Sequence, residues 1–264
     1  MALKTIILCG GQGTRLRQET EYKPKPMVNI GGKPILWHIM KIYAHYGFLD
    51  FVLALGYKGN AIRDYFLNYD LYAGNFTIKL GVRKKIEVHS PHSDQGWRIT
   101  MVETGENNLT GSRIKQCEEY IDDDIMMVTY GDGVSNINIR KLLEFHKSHG
   151  RMGTITGVSP TSRWGELKTE GDRIISFTEK PKSSGSTANI SGGFMIFNRE
   201  VFKLLSRDES CVFEHAPLSK LAQSGELMLY HHDGFWAAMD TYRDYLYLNT
   251  LASETPAPWF CFDD

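Results

Sequence analysis

A glycine-rich run, Leu8-Cys9-Gly10-Gly11-Gln12-Gly13-Thr14-Arg15-Leu16, places backbone amides and one arginine within a few residues of each other. Glycines let N–H groups approach phosphate oxygens with no Cβ in the way. Arg15 adds a planar, permanently charged fork for the same oxygens. Taken alone, the run also reads as a glycine turn beside a solvated arginine. Two better-known phosphate motifs fail: GxGxxG started at Gly11 meets Leu16 at its third glycine, and Gly32-Lys33-Pro34 cannot supply a Walker lysine followed by Ser or Thr. A nicotinamide oxidoreductase is set aside on the first failure. Lys23-Pro24-Lys25-Pro26-Met27 holds two cations. The residue before each proline is driven from helical geometry, which predicts an extended backbone under both lysines. One of them can then return over the Gly10–Arg15 loop and neutralise a polyphosphate. Asp132 lies in a glycine-flanked turn after an apolar run, within reach of a strand-end crevice.

These groups need elements to aim them. Thr5–Cys9 is a short apolar run that stops at Gly10-Gly11, as a buried parallel strand does. Phe51–Leu55, Arg98–Glu103 and Ile125–Tyr130 read as further strands. Pro34–Tyr46, Ala61–Tyr69, Ser112–Tyr120 and Ile139–His149 carry apolar residues near helical spacing. The alternation predicts an α/β fold: a Rossmann-like, mostly parallel mixed sheet flanked by helices. Past His149 the rhythm changes to Gly153–Val158, Glu166–Thr169, Ile174–Glu179 and Ser191–Asn198 as strands, with fewer helices between them. Thr241–Ser253 closes as a helix. Gly74–Gly96 is polar, carries no clear period and is left unassigned, as an excursion or a subunit contact. Lys182–Ser186 reads as a flexible loop too short for a domain linker. One domain over 1–264 is expected, with the change of rhythm near 150 marking its two halves.

Composition fits that picture. The 264 residues carry 30 Lys+Arg against 31 Asp+Glu, which argues against attachment to nucleic acid or a membrane through net charge. No apolar run approaches the roughly 20 residues of a membrane span, and the first residues break too soon for a signal h-region. Cys9, Cys117, Cys211 and Cys261 are scattered with no CxxC, so reduced thiols in a cytoplasm are expected. Adjacent residues of a strand face opposite ways, so His231-His232 reads as packing or surface, not as a ligand pair. Asp122-Asp123-Asp124 reads as a solvated turn.

Taken in order, the glycine loop and the Lys-Pro-Lys-Pro-Met run resemble the signature of the sugar-1-phosphate nucleotidylyltransferases. Tyr130-Gly131-Asp132-Gly133, Glu179-Lys180-Pro181-Lys182, Gly192-Gly193-Phe194 and Trp236-Ala237-Ala238-Met239-Asp240-Thr241 extend the likeness nearly to the chain's end. Gly32–Met40, Gly56-Tyr57-Lys58-Gly59, Val128–Gly133 and Thr104-Gly105 with Leu109–Arg113 are similar to the glucose-1-phosphate cytidylyltransferase branch of that family. The chain departs from the usual pattern with Ser191 for Asn, Ser112 for Gly, and Trp164 for Phe.

The resemblance implies CTP and glucose 1-phosphate as substrates, CDP-glucose and pyrophosphate as products, and Mg²⁺ as cofactor, with about 1–150 as the nucleotide-binding half and about 151–264 as the sugar-phosphate-binding half. CDP-glucose would be a precursor of deoxysugars for surface polysaccharide such as the O-antigen of lipopolysaccharide. The same fold with UTP or dTTP, or with another hexose 1-phosphate, is the alternative; a non-catalytic nucleotide-sensing subunit is the reading from another class. By resemblance, Arg15, Lys25, Asp132, Lys180 and Asp240 are catalytic, with Asp132 and Asp240 on the metal. Without it, Asp240 would read as a helix N-cap. Leu8, Cys9, Gly10, Gly11, Gln12, Gly13, Thr14, Arg15, Lys25, Asn108, Arg113 and Gly131 would bind nucleotide, and Glu179, Lys180 and Gly193 the sugar phosphate. Members of the branch assemble as homo-oligomers, often hexamers.

Overall fold

The computed structural model describes residues 3–81, 83–89, 96–159, 166–170, 173–178 and 190–261. The chain opens with β1 (Lys4–Leu8), followed by the glycine loop, a 3-10 turn and the one-turn helix α1 (Arg17–Thr20). A two-residue ladder of β2 (Asn29–Ile30) and β3 (Lys33–Pro34) leads into α2 (Ile35–His45), with Pro34 as its N-cap. Next come β4 (Asp50–Leu55), α3 (Gly59–Leu67) and α4 (Tyr69–Ala73). The helix expected over Ala61–Tyr69 is interrupted at Asn68, whose side-chain amide donates back to the Asp64 carbonyl at 2.9 Å.

The unassigned 74–96 stretch contains a hairpin, β5 (Phe76–Lys79) with β6 (Lys85–Val88), exposed on both faces. A strand with neither face buried has no hydrophobic period to read, which is why it escaped the pattern. Then follow β7 (Arg98–Glu103), α5 (Thr110–Gln116), β8 (Ile125–Tyr130) and β9 (Gly133–Ser135). The helix expected over Ser112–Tyr120 is α5 together with a separate 3-10 turn at Glu118–Tyr120. The second half gives α6 (Ile139–His149), β10 (Gly153–Val158), the pair β11 (Glu166–Glu170) and β12 (Arg173–Thr178), and β13 (Ile190–Asn198). It ends with α7 (Ala216–Gln223), β14 (Leu227–His232), β15 (Trp236–Ala238) and α8 (Tyr242–Ala252).

Seven strands form one sheet in the order β14-β10-β13-β8-β1-β4-β7. All neighbours run parallel except β13, which is antiparallel to both β10 and β8. The fold is thus the mostly parallel mixed sheet expected. Alternate residues of the central strands feed two cores: Ile7, Leu53, Leu55 and Met127 pack on one face, and Ile6, Leu8, Val52 and Val128 on the other. Both faces are covered, as a parallel sheet requires. Strand order reverses between β1 and β8, where such folds open a ligand crevice beyond the strands' carboxyl ends.

Candidate active site

The crevice is built by register. Leu8 pairs with Tyr130, so the loop leaving β1 and the turn leaving β8 start side by side. The Gly131 amide donates to the Leu8 carbonyl at 3.1 Å. A Cβ on Gly131 would stand 2.8 Å from both that carbonyl oxygen and the Pro26 ring, so only glycine admits Pro26 to the seam. Buried Pro26 thereby docks its neighbour Lys25 against the Asp132 turn.

Here one expectation is corrected. Lys25 heads a 3-10 turn (Lys25–Met27) and not an extended segment, although Pro26 follows it. The Met27 and Val28 amides close that turn on Pro24 and Lys25 carbonyls, and burial of Pro26 and Met27 outweighs the local preference. Only Lys25 returns to the site; Lys23 lies 3.9 Å from Glu19 instead.

Asp240 arrives from the far end of the chain. β15 pairs antiparallel with β9, Ala238 opposite Gly133, and the Met239 amide donates to the Asp132 carbonyl at 2.9 Å. This three-residue ladder brings Asp240 beside Asp132. Asp240 is not the helix N-cap: Thr241 caps α8, in a capping box with Asp244. Asp240 in turn donates its backbone amide to Asp244 Oδ2 at 3.1 Å.

Between the carboxylates stands the Lys25 ammonium, 2.5 Å from Asp132 Oδ2 and 2.8 Å from Asp240 Oδ1. Arg15 reaches Asp240 Oδ1 at 3.5 Å while its side chain stays 76% exposed. Burial works to lower the Lys25 pKa, but Asp132 and Asp240 together outweigh it and hold it above the usual lysine value. Lys25 is therefore charged throughout the neutral range.

The glycine loop lies over a buried support. The Arg113 guanidinium donates to the carbonyls of Leu55, Gly105, Gly10 and Glu106 and to Thr104 Oγ1, at 2.7–3.1 Å. Burial lowers its pKa from the ordinary arginine value. Arg113 lines the cavity, but these contacts make it the strut that joins the ends of β1, β4 and β7. A side chain at Gly10 would collide with it. Cys9 is fully buried beneath the loop, and burial pushes its thiol pKa far up, which leaves it inert.

The resulting cavity of about 310 Å³ is lined by Leu8, Gly10, Gly11, Gly13, Thr14, Arg15, Lys25, Asn108, Arg113, Gly131, Asp132 and Asp240 among the residues singled out from the sequence. Gln12 sits exposed in the loop without lining it. Gly193 (φ +81°) lies behind the wall, where a Cβ would come 2.6 Å from the Tyr130 ring. Glu179 and Lys180, and the variant Trp164, lie outside the described residues. Ser112, the other departure, is buried and donates its hydroxyl to the Arg207 carbonyl at 3.1 Å.

The sequence reading missed Tyr130, Leu109 and Thr110 as wall residues, and Glu214 behind them. Trp236 entered only as part of a family motif; its indole donates to the Gly192 carbonyl at 2.8 Å and ties β15 to β13. Asn108 donates to the Thr104 carbonyl while its Oδ1 is buried without a partner among the described residues. That oxygen was legible only as part of a family likeness.

Among the described residues no cluster of three or more metal-binding side chains occurs, and no helix is long and apolar enough to cross a membrane. The nucleotidyl transferase family pattern matches residues 4–254. Glucose-1-phosphate cytidylyltransferase of Salmonella typhi is 46% identical over 97% of this chain and 98% of its own. The protein of that name from Salmonella typhimurium strain LT2 matches equally, 46% over the same shares. The crystal structure of HddC from Yersinia pseudotuberculosis superposes with a TM-score of 0.66 at 24% identity, over 94% of this chain and 98% of that one, a likeness of fold.

Proposed function

The chain belongs to the nucleotidyl transferase family, and we propose that it transfers the cytidylyl group of CTP to glucose 1-phosphate, giving CDP-glucose and pyrophosphate. The observation that carries this reading is the Asp132–Lys25–Asp240 cluster at the glycine loop, in a chain that aligns nearly end to end with proteins of that activity.

A phosphate oxygen of the sugar attacks the α-phosphorus and pyrophosphate leaves in line. The nucleophile is already anionic, so the task is to bring two polyanions together and stabilise the departing charge. Arg15 and Lys25 clamp the triphosphate with the amides of Gly10–Thr14. Asn108, which lines the cavity, is assigned to the base. By the family likeness, Lys180 is assigned to the sugar phosphate, and Glu179 and Gly193 to the sugar.

The family uses a divalent cation, and the residues present fit Mg²⁺. Two carboxylates both meet one ammonium, so their facing oxygens lie within about 5 Å of each other, and Mg²⁺ takes one or two carboxylates with phosphate and water for the rest. Asp132 and Asp240 would hold it. When bound, the cation supplies positive charge to the triphosphate and to the leaving pyrophosphate.

Self-assembly into a homo-oligomer, as a hexamer, belongs to the same reading. The exposed Phe76, Ile78 and Leu80 of the β5–β6 hairpin region support it as a contact. The free cysteines suit a cytoplasmic setting.

The test is pyrophosphate release with glucose 1-phosphate across CTP, UTP, dTTP and GTP. Turnover with CTP that requires Mg²⁺ is expected; turnover with another nucleotide and none with CTP overturns the base assignment. Ser191, where the family pattern has Asn, keeps another hexose 1-phosphate as the alternative, and a panel of sugar phosphates with CTP separates the two.

A further inference from the structure

Two hydroxyls on the cavity wall share one acceptor. Tyr130, the last residue of β8, donates to Glu214 Oε1 at 2.5 Å, and Thr110, the first residue of α5, donates to Glu214 Oε2 at 2.5 Å. Thr110 Oγ1 also accepts from the Phe213 amide at 2.9 Å, which leaves its proton for the carboxylate. Glu214 itself does not line the cavity, whereas both its partners do.

The segment bearing Glu214 is anchored to the start of α5. The Cys211 carbonyl accepts from the Gly111 and Ser112 amides, at 2.9 and 3.2 Å, two of the N–H groups that a helix leaves unpaired at its start. A Cβ on Gly111 would lie 2.6 Å from Cys211 Sγ, so the approach requires glycine there. Glu214 is thus delivered by a backbone that cannot drift from α5, and it holds Tyr130 from the tip.

From behind, the Tyr130 ring rests on Gly193, where φ is +81° and no side chain fits. The ring is therefore fixed at two points, its hydroxyl by Glu214 and its face by the strand assigned to the sugar. Burial, then the charge of Glu214, pushes the Tyr130 pKa up, so the phenol keeps the proton that it donates.

We propose that Glu214 is a positioning residue: through the Tyr130 hydroxyl it sets where the Tyr130 ring stands, and so the width of the wall between the nucleotide side at Thr110 and the sugar side at Gly193. This rests on the sugar-nucleotide reading of the site. Freed from Glu214, the ring turns on its strand and the hexose loses a fixed wall, while the Asp132–Lys25–Asp240 chemistry is left in place. The cost falls on sugar binding before it falls on turnover.

The experiment is a double-mutant cycle on the full-length enzyme with Glu214→Ala, Tyr130→Phe and the pair, with KM and kcat for glucose 1-phosphate and the thermal midpoint of each. Glu214→Ala is expected to raise that KM about tenfold, the worth of a charge-assisted hydrogen bond, with kcat within about threefold. The double variant is expected to be no worse than Glu214→Ala alone, and Glu214→Gln, which keeps one acceptor, to recover part of the loss. An unchanged KM, effects that multiply in the double variant, or a lower midpoint with normal KM would each overturn the proposal. If Glu214→Ala does not fold, Glu214→Gln replaces it in the cycle, with a smaller rise in KM expected and an unchanged KM overturning the proposal. Wild-type enzyme inactive with CTP and glucose 1-phosphate would instead overturn the substrate reading, and the cycle would then use the hexose 1-phosphate that the panel selects.

Discussion

Lys25 is the side chain on which the site's electrostatics turn. Its ammonium bridges two carboxylates that would otherwise repel each other at close range, Arg15 supplies the second positive charge, and the Lys25 side chain is only 13% exposed. Removing either acid breaks that balance and takes away one ligand of the expected cation. Asp132→Ala and Asp240→Ala should each lower kcat by at least about 100-fold in the pyrophosphate assay; either variant at near wild-type rate would remove that residue from the metal assignment. The two acids differ in how far the sequence shows them. Asp132 directly follows a buried apolar strand, so its place at a strand end is legible. Asp240 depends on three residues of β15 pairing with β9, too few for any period to announce. Glu214 is less legible still, since its role comes from where the Cys211–Glu214 backbone lies against α5. Lys25 was legible in its place beside the glycine loop and not in conformation, because packing of Pro26 overrode the local rule.

Elements were readable where an unbroken run is buried, on both faces for the strands and on one for the helix. β1, β8, α6 and β10 fall where the apolar pattern puts them. The β5–β6 hairpin lacked a buried face to read, and α7 is a short helix with Pro217 in its first turn. Of the closing helix α8 only Leu248 is buried, and Tyr242 and Tyr247 are about half exposed. Its stability therefore leans on its start, where Thr241 and Asp244 satisfy each other's backbone amides. Thr241→Ala should cost about 1 kcal/mol, seen as a fall of roughly 2–4 °C in thermal midpoint. Because Asp240 donates to the same Asp244 carboxylate, Asp244→Ala should lower activity as well as the midpoint. A drop in stability alone would detach the cap from the site.

At the scale of the whole molecule, the sheet takes β1, β4, β7 and β8 from before residue 150 and β10, β13 and β14 from after it. The α/β class and the switch point were legible from the strand–helix rhythm; the reversed β13 was not, because a buried antiparallel strand reads like a parallel one. The final residues lock the arrangement. Trp259, fully buried, donates its indole N–H to His38 Nδ1 at 3.1 Å, and the other ring nitrogen of His38 meets the Ile30 carbonyl at 2.8 Å. Burial pushes the His38 pKa down to about 4, so the ring folds neutral. The unfolded chain then binds the extra proton first. The stabilisation is whole above about pH 6.5 and is lost as pH falls toward 4, a difference of about 3 kcal/mol at most. Chemical denaturation from pH 7 to 4.5 should show that slope, and His38→Gln should flatten it. Equal slopes in the two proteins would assign the acid sensitivity elsewhere.

The β9–β15 ladder has a consequence for how the protein is made. The acids that it joins are encoded far apart, so a chain still threading the ribosomal exit with β15 inside carries half of the pair. Such a nascent product carries the glycine cradle and Asp132 without Asp240 beside them. The two acids come together only when the residues from Trp236 onward dock on β9, so the pair is completed only after nearly the whole chain has been made.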